Sequence, residues 1–237
     1  MKHLLIVFSI LFLTLAAVSP AEANDRRVRS GSAAASNLCS NEEPQVIVKL
    51  ATAPTKYIKT KDAFDLTAMH NSGRGSVTLG LAGGPISITM KGRFQVSTMR
   101  GHSCIELSRL EVLFWAKPQV HIASNFERGS CEYREVLAHE QKHIRVLRKF
   151  VREQAPKLKR EVRKIVKATK TQHKVRDYQI EAAQSDVEKR IFKRIQAYQN
   201  RIMPILDARQ KAIDTPEEYR RVAAQCDNWG KKLASTR

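Results

Sequence analysis

Hydrophobic and polar positions alternate through the first half of the chain, from residue 44 to residue 123. Val46, Val48 and Leu50 alternate with polar or small neighbours, as a half-buried strand requires. A turn-like sequence, Ala82-Gly83-Gly84-Pro85, separates two further strand patterns at 76–81 and 86–91. These patterns predict a small antiparallel sheet of about five to seven strands within residues 44–128.

The period changes to that of an amphipathic helix after Ser130, which is a good N-cap residue. We expect Pro156 to kink this first helix or to end it. A helical pattern resumes after the proline. A polar break precedes a second long helix from about Val175, and Thr215-Pro216 marks the start of the last one. Strands followed by helices predict a single α+β domain over 44–237, in which the antiparallel sheet packs on a C-terminal bundle of about three or four helices.

Residues 1–23 have the pattern of a cleaved signal peptide. A short basic start precedes an apolar run of 15 residues at 4–18, and a membrane span needs about 20. Ala21-Glu22-Ala23 then has small residues at the two positions that signal peptidase reads, which predicts cleavage before Asn24. The alternative is an uncleaved anchor helix. We expect 24–43 to be a mobile polar segment and the protein to be periplasmic or secreted.

The predicted export determines how the four cysteines are interpreted. In an oxidising compartment two disulfides are the default, and four cysteines allow about three pairings. We favour Cys39–Cys104, within the strand-rich half, and Cys131–Cys226, which would join the last helix to the start of the central one. The rival interpretation, a four-cysteine zinc site, needs closely spaced cysteine pairs, which this sequence lacks.

The first long helix carries the sequence His139-Glu140-Gln141-Lys142-His143, an H-E-x-x-H pattern. Residues four apart lie one above the other on a helix, so both imidazoles can reach one zinc ion. Glu140 lies one step round the helix, where it can act as general base toward a water molecule bound to the metal. Two alternatives stay open: a solvated helix face with two incidental histidines, and a zinc site without catalysis.

A catalytic zinc site needs a third protein ligand as well as an open position. Glu161 and Glu181 are two carboxylates within the following helices, and the segment 214–219 could fold over the site. Glu161 is disfavoured because a continuous helix would place it roughly 30 Å from the histidines. His121 is a further candidate, as a ligand or as a group that stabilises an oxyanion, since its strand ends shortly before the helix.

Three segments and the last cysteine resemble an uncharacterised group of bacterial exported proteins: GSCEY at 129–133, VLAHEQKH at 136–143, AIDTPEEY at 212–219, and Cys226. More distantly, the chain is similar to the group of predicted secreted zinc-dependent proteases over about residues 90–228. In that group a helix with H-E-x-x-H is followed by a Tyr-Asp segment ending in His-Gly. This chain lacks the His-Gly.

The resemblance implies a peptidase activity. Asp214 occupies the place of the Tyr-Asp aspartate, and Glu218 falls near the place of the histidine. On that basis we take Glu218 as the third zinc ligand, with Asp214 as the next candidate.

The whole chain carries a formal net charge of +19, and residues 142–176 hold 14 Lys or Arg against two Glu. This stretch suits an anionic envelope polymer or a membrane surface. It has few aromatic residues for stacking, so no nucleic-acid partner is expected.

Taken together, these features predict an exported, monomeric zinc metallopeptidase that acts on a peptide or protein substrate. Its predicted site residues are His139, Glu140, His143 and Glu218. The alternative is a non-enzymatic basic envelope protein with a structural or vestigial metal site.

Overall fold

A computed structural model describes residues 39–40, 42–70 and 77–234 of the chain. All of these residues lie within one compact unit of the chain, 37–237. The predicted signal peptide at 1–23 and most of the predicted mobile segment at 24–43 lie outside the described residues.

The described chain is α+β, with strands in its first half and long helices in its second. The strands are β1 (Gln45–Thr52), β2 (Lys56–Ile58), β3 (Gly80–Gly83), β4 (Ile86–Met99), β5 (His102–Ala116), β6 (Gln119–Ile122) and β7 (Gln172–Arg176). The helices are α1 (Ala63–His70), α2 (Cys131–Lys167), α3 (Ile180–Lys211), α4 (Pro216–Ala223) and α5 (Trp229–Ala234), and a short 3-10 turn at Asp177–Gln179 precedes α3.

Both sheets are mixed, so the prediction of an antiparallel sheet is wrong in part. In the first sheet, in the order β1-β5-β4, β5 pairs antiparallel with β4 and also with β7, but β1 pairs with β5 in parallel. In the second, in the order β2-β6-β3, β6 is parallel to β2 and antiparallel to β3. Alternation of apolar residues reports which face of a strand is buried but carries no information about the direction of its neighbour.

The strand boundaries around the second sheet also differ from the prediction. Ala82 and Gly83 were expected in a turn between two strands, yet they are the end of β3. This strand pairs with β6, and β4 pairs with β5 instead. The chain does not reverse at Gly84, whose φ of 129° suits glycine. β3 and β4 instead follow one another along the β5–β6 stretch, from Gly83 opposite Gln119 to Ile86 opposite Ala116.

α2 begins as predicted, with the Ser130 side chain accepting a hydrogen bond from the backbone N–H of Tyr133. It does not end at Pro156, which is exposed on the solvent side of a helix that continues to Lys167. A carbonyl that loses its helical donor there can be solvated, so the helix tolerates the proline. α3 begins at Ile180, later than expected from Val175, because residues 172–176 join the edge of β5 as β7.

α2 and α3 run antiparallel and bury their apolar faces on the first sheet. The pairing of Arg194 with Thr169 at one end and of Gln210 with His143 at the other shows the direction. A second apolar cluster joins the first half of α2, through Val136 and Ile144, to β6 and α1. The H-E-x-x-H segment therefore lies between two α2 residues of the second cluster, and the buried α2 residues of the first cluster begin after it, at Leu147.

Both favoured disulfides, Cys39–Cys104 and Cys131–Cys226, are present. They fit an extracellular or periplasmic protein. Among the described residues, no helix combines the length and the apolar character that a membrane crossing requires.

Candidate metal centre

His139 and His143 occupy successive turns of α2 and face each other across one side of the helix. Their side chains are buried, with 9% and 8% of the side-chain surface exposed. The two Nε2 atoms lie 3.3 Å apart and the rings meet edge to face. The helical spacing predicted from the sequence is sufficient to bring the two nitrogens together.

Asp214 brings a carboxylate oxygen to the same point. Its Oδ1 lies 3.2 Å from Nε2 of His139 and 3.1 Å from Nε2 of His143. The antiparallel course of α3 returns the chain to the level of the histidines, and α3 ends at Lys211, just before the aspartate. Thr215 then caps α4 by accepting a hydrogen bond from the backbone N–H of Glu218. Asp214 is thus held in a short link between two helices.

The Nδ1 atoms of both histidines are engaged on the opposite sides of the rings. Oε1 of Gln210 lies 2.8 Å from Nδ1 of His143, and Nε2 of the same amide donates to the His143 carbonyl. Oε1 of Glu218 lies 3.2 Å from Nδ1 of His139. Because a carboxylate and an amide oxygen only accept hydrogen bonds, both Nδ1 atoms carry the proton. In neutral rings the lone pairs of the Nε2 atoms therefore point toward Asp214.

Glu218, the third ligand expected from the sequence, lies on the far side of His139 from the point where the two Nε2 atoms meet Asp214. Its Oε1 also accepts hydrogen bonds from Lys142 and Arg221. The Arg221 guanidinium, with burial opposing it and Lys142 adding to it, holds the pKa of Glu218 well below its usual range. A carboxylate so firmly ionised is a strong acceptor for the Nδ1 proton of His139.

The charges of the site depend on one another. Burial is the strongest single influence on His139 and His143 and lowers their pKa, but hydrogen bonds to Asp214 and to Glu218 or Gln210, together with the charge of Glu140, raise both above the usual value. Burial likewise favours the neutral form of Asp214, yet the two histidines hold its pKa well below the usual range. The three groups together are therefore stable as a carboxylate beside positive charge.

Glu140 is buried next to the histidines, with 5% of its surface exposed. Burial raises its pKa to about 7, although the nearby histidines oppose the shift. Its side chain packs against β3, where it accepts a hydrogen bond from the backbone of Ala82. A Cβ atom on Gly80 would lie 2.5 Å from Oε1 of Glu140, so the absence of a side chain at Gly80 leaves room for this carboxylate.

Tyr219 stands at the exposed edge of the centre. Its ring centroid lies 5.9 Å from that of His139, and 53% of the residue is exposed. Burial of its hydroxyl, together with the charge of Asp214 and a hydrogen bond to it, raises the pKa of Tyr219 to about 12. The Asp214 side chain is itself 34% exposed. Solvent therefore reaches the Asp214 side chain, whereas the two histidine rings beside it are buried.

Three other residues considered from the sequence lie elsewhere. Glu161 pairs with Arg201 along α2 and α3, and Glu181 is exposed in the first turn of α3. His121 alternates on β6 with Val120 and Ile122, which are buried toward α2. It therefore points from the opposite face of that sheet, so it does not join the centre.

Sequence reasoning missed Gln210 and Gly80. The polar face of α3 offers no local signal that distinguishes Gln210 from the other exposed amides. Gly80 stands in an apolar stretch where only contact with another element reveals its role.

Comparison of the chain with protein-family models, with curated proteins and with solved structures finds no match. Function is therefore inferred from the geometry of the site.

Proposed function

We propose that the protein is an exported zinc-dependent metallopeptidase in which His139, His143 and Asp214 bind the metal and Glu140 is the general base. The observation that carries the proposal is the convergence of two Nε2 atoms and one carboxylate oxygen, each within 3.1–3.3 Å of the other two. These three residues form a group whose ligand atoms could hold one metal ion.

The spacing of these atoms fits zinc. Zinc binds imidazole nitrogen and carboxylate oxygen at about 2.0–2.1 Å, and tetrahedral angles then separate neighbouring ligand atoms by about 3.3 Å. The separations in the centre are 3.1, 3.2 and 3.3 Å. An ion placed among the three atoms would satisfy all of them with small adjustments of the side chains.

The chemistry of the donors also favours a cation. With both Nδ1 protons directed at Glu218 and Gln210, neutral rings would leave the three converging atoms presenting electron pairs to one another. Such an arrangement repels itself unless protons or a metal ion lie among the atoms. Partners on Nδ1 are the usual means by which a protein orients imidazole ligands and increases their basicity.

This geometry favours Asp214 over Glu218 as the third ligand. Asp214 is near the Nε2 atoms of both histidines, whereas Glu218 contacts only Nδ1 of one. Glu218 instead orients His139 and is held in turn by Lys142 and Arg221.

A zinc ion held by His139, His143 and Asp214 would supply a Lewis acid that lowers the pKa of a water molecule and polarises the peptide carbonyl. Glu140 accepts the proton from the attacking water and delivers it to the leaving amine. Contact with Ala82 and the space beside Gly80 hold its carboxylate in place. The hydroxyl of Tyr219 is hydrogen-bonded to Asp214 and would hold that carboxylate in position beside the two histidines.

A metal site without catalysis is the second candidate, and one observation favours it. His139, Glu140 and His143 are each no more than 7% exposed, whereas 34% of the Asp214 side chain is exposed. A structural or vestigial site would have this burial.

The decisive experiment compares the wild-type exported chain with Glu140→Gln and His139→Ala variants. We would measure bound zinc by mass spectrometry of metals, and hydrolysis as new termini in a proteome-derived peptide library. The proposal expects about one zinc per chain in the wild type and in Glu140→Gln, loss of zinc in His139→Ala, and cleavage by the wild type alone. Cleavage by Glu140→Gln would refute the mechanism, and zinc binding without cleavage by the wild type would favour the structural site.

A further inference from the structure

The solvent side of α2 carries a row of basic side chains. Six exposed residues compose this basic ridge: Arg145, Arg152, Lys159, Arg160, Arg163 and Lys167. At about 100° per residue they lie within a stripe about 100° wide, and at about 1.5 Å per residue the row is about 33 Å long.

The ridge carries net positive charge that the protein does not neutralise. Within residues 39–40, 42–70 and 77–234, none of the six has a carboxylate oxygen within 4.0 Å. The nearby Lys149 is excluded from the ridge because it lies 3.9 Å from Glu153. Glu153 and Glu161 turn instead toward α3, where they pair with Arg209 and Arg201.

Several unpaired cations held at fixed distances on a rigid helix repel one another, and a multivalent anion relieves that repulsion. The opposite face of the same helix is locked onto the core through Leu147, Phe150, Leu158 and Val162, all no more than 2% exposed. The row is therefore fixed in place and cannot collapse onto acidic groups elsewhere.

We propose that the basic ridge binds a linear anionic polysaccharide that lies along α2. A membrane surface is less well suited, because a helix that binds in the bilayer interface inserts an apolar face. The apolar face of α2 is already buried against the sheet and α3. Two disulfides indicate a compartment outside the cytoplasm, which favours an acidic glycan over a nucleic acid.

The interaction is independent of the proposed catalysis, since no member of the ridge contacts the metal-binding atoms. It would hold the protein on an anionic polymer by electrostatic attraction along one helix. Each bound anion displaces condensed counterions, so affinity must fall steeply with salt. About six contacts at about 0.7 ions each give a slope of log K against log salt near −4.

The test measures binding to polygalacturonate, a linear carboxylate polymer, over a range of salt concentrations. The ridge variant R152Q/R160Q/R163Q removes three of the six charges and keeps good helix-forming residues. The matched control K56Q/K91Q/R128Q removes three exposed charges from β2, β4 and the loop before α2. We expect the ridge variant to bind at least tenfold more weakly, with a slope of log K against log salt of about −2. The affinity of the control should change less than threefold.

Three results would overturn the inference. In the first, the wild type fails to bind the polymer. In the second, the control loses as much affinity as the ridge variant, which would indicate that binding depends on the overall charge of the protein and not on the ridge. In the third, vesicles containing phosphatidylglycerol bind the wild type more tightly than polygalacturonate does at equal anion concentration, which would indicate a membrane surface. His139→Ala should leave the affinity for polygalacturonate unchanged. The test of the basic ridge is therefore independent of whether the metal centre binds zinc.

Discussion

Gly80 on β3 lies against the buried carboxylate of Glu140, and one added methyl group there would collide with it. A Cβ atom would lie 2.5 Å from Oε1 of Glu140 and 2.6 Å from Cγ1 of Val136, whereas ordinary contact begins near 3.4 Å. The carboxylate would have to withdraw by about 0.9 Å. Gly80→Ala therefore moves the proposed general base without changing any atom of the metal-binding set.

Gly80→Ala should affect stability, turnover and zinc content to different extents. Overpacking a tight interior contact costs about 1–3 kcal/mol, and each kcal/mol lowers Tm by about 2–4 °C in a chain of this size. Misplacing a catalytic group by about 1 Å lowers turnover about 100-fold. Zinc content should stay near that of the wild type, because the three atoms nearest to the new methyl group belong to Glu140 and Val136 and none to His139, His143 or Asp214.

The control is Gly83→Ala on the same strand. Among the described residues no heavy atom lies within 4 Å of a Cβ at that position, and the backbone there does not need glycine. We would measure Tm, bound zinc and peptide hydrolysis at saturating zinc for both variants. Hydrolysis by Gly80→Ala at the rate of Gly83→Ala would refute the placement of Glu140 against β3 as a requirement for catalysis.

Three further predictions concern the metal and the segment that carries Asp214. Asp214→Ala should lower zinc affinity more than 100-fold, and Glu218→Gln by only about 10–100-fold, as measured by competition with a chromophoric chelator; the reverse order would make Glu218 the ligand. EDTA should remove about 2.7 kcal/mol of stability from protein kept in zinc at about 100 times its Kd, seen as a fall in Tm, and an unchanged Tm would show that no stabilising metal is bound. Both C131S/C226S and C39S/C104S should lose about 4–5 kcal/mol in the chain-entropy model, but only the first should weaken zinc binding, because the Cys131–Cys226 bridge ties the chain beyond α4 to the start of α2. Equal zinc affinity in the two double variants would show that this bridge does not position the site.

Some elements of the fold were predictable because their signals are local. Ser130 and Thr215 cap their helices as expected, since capping needs only a side chain and an amide three residues on. Strand direction was not predictable, and neither was β7, because Val175 has the same residue pattern whether it begins a helix or joins the edge of β5. Pro156 likewise allowed either outcome, and burial of apolar residues on both sides of it favours one continuous helix.

The sequence by itself determined that two imidazoles share one face of a helix, with an acidic residue beside them, because positions four apart are brought together by helical geometry alone. Only the tertiary structure decided which carboxylate meets their Nε2 atoms. Asp214 and Glu218 are 71 and 75 residues beyond His143, and either can be delivered by the segment after α3. The length of α3, its antiparallel packing on α2 and the short turn before α4 place Asp214 between the rings and Glu218 behind one of them. That choice depends on the sum of many packing contacts, and no short stretch of residues encodes it.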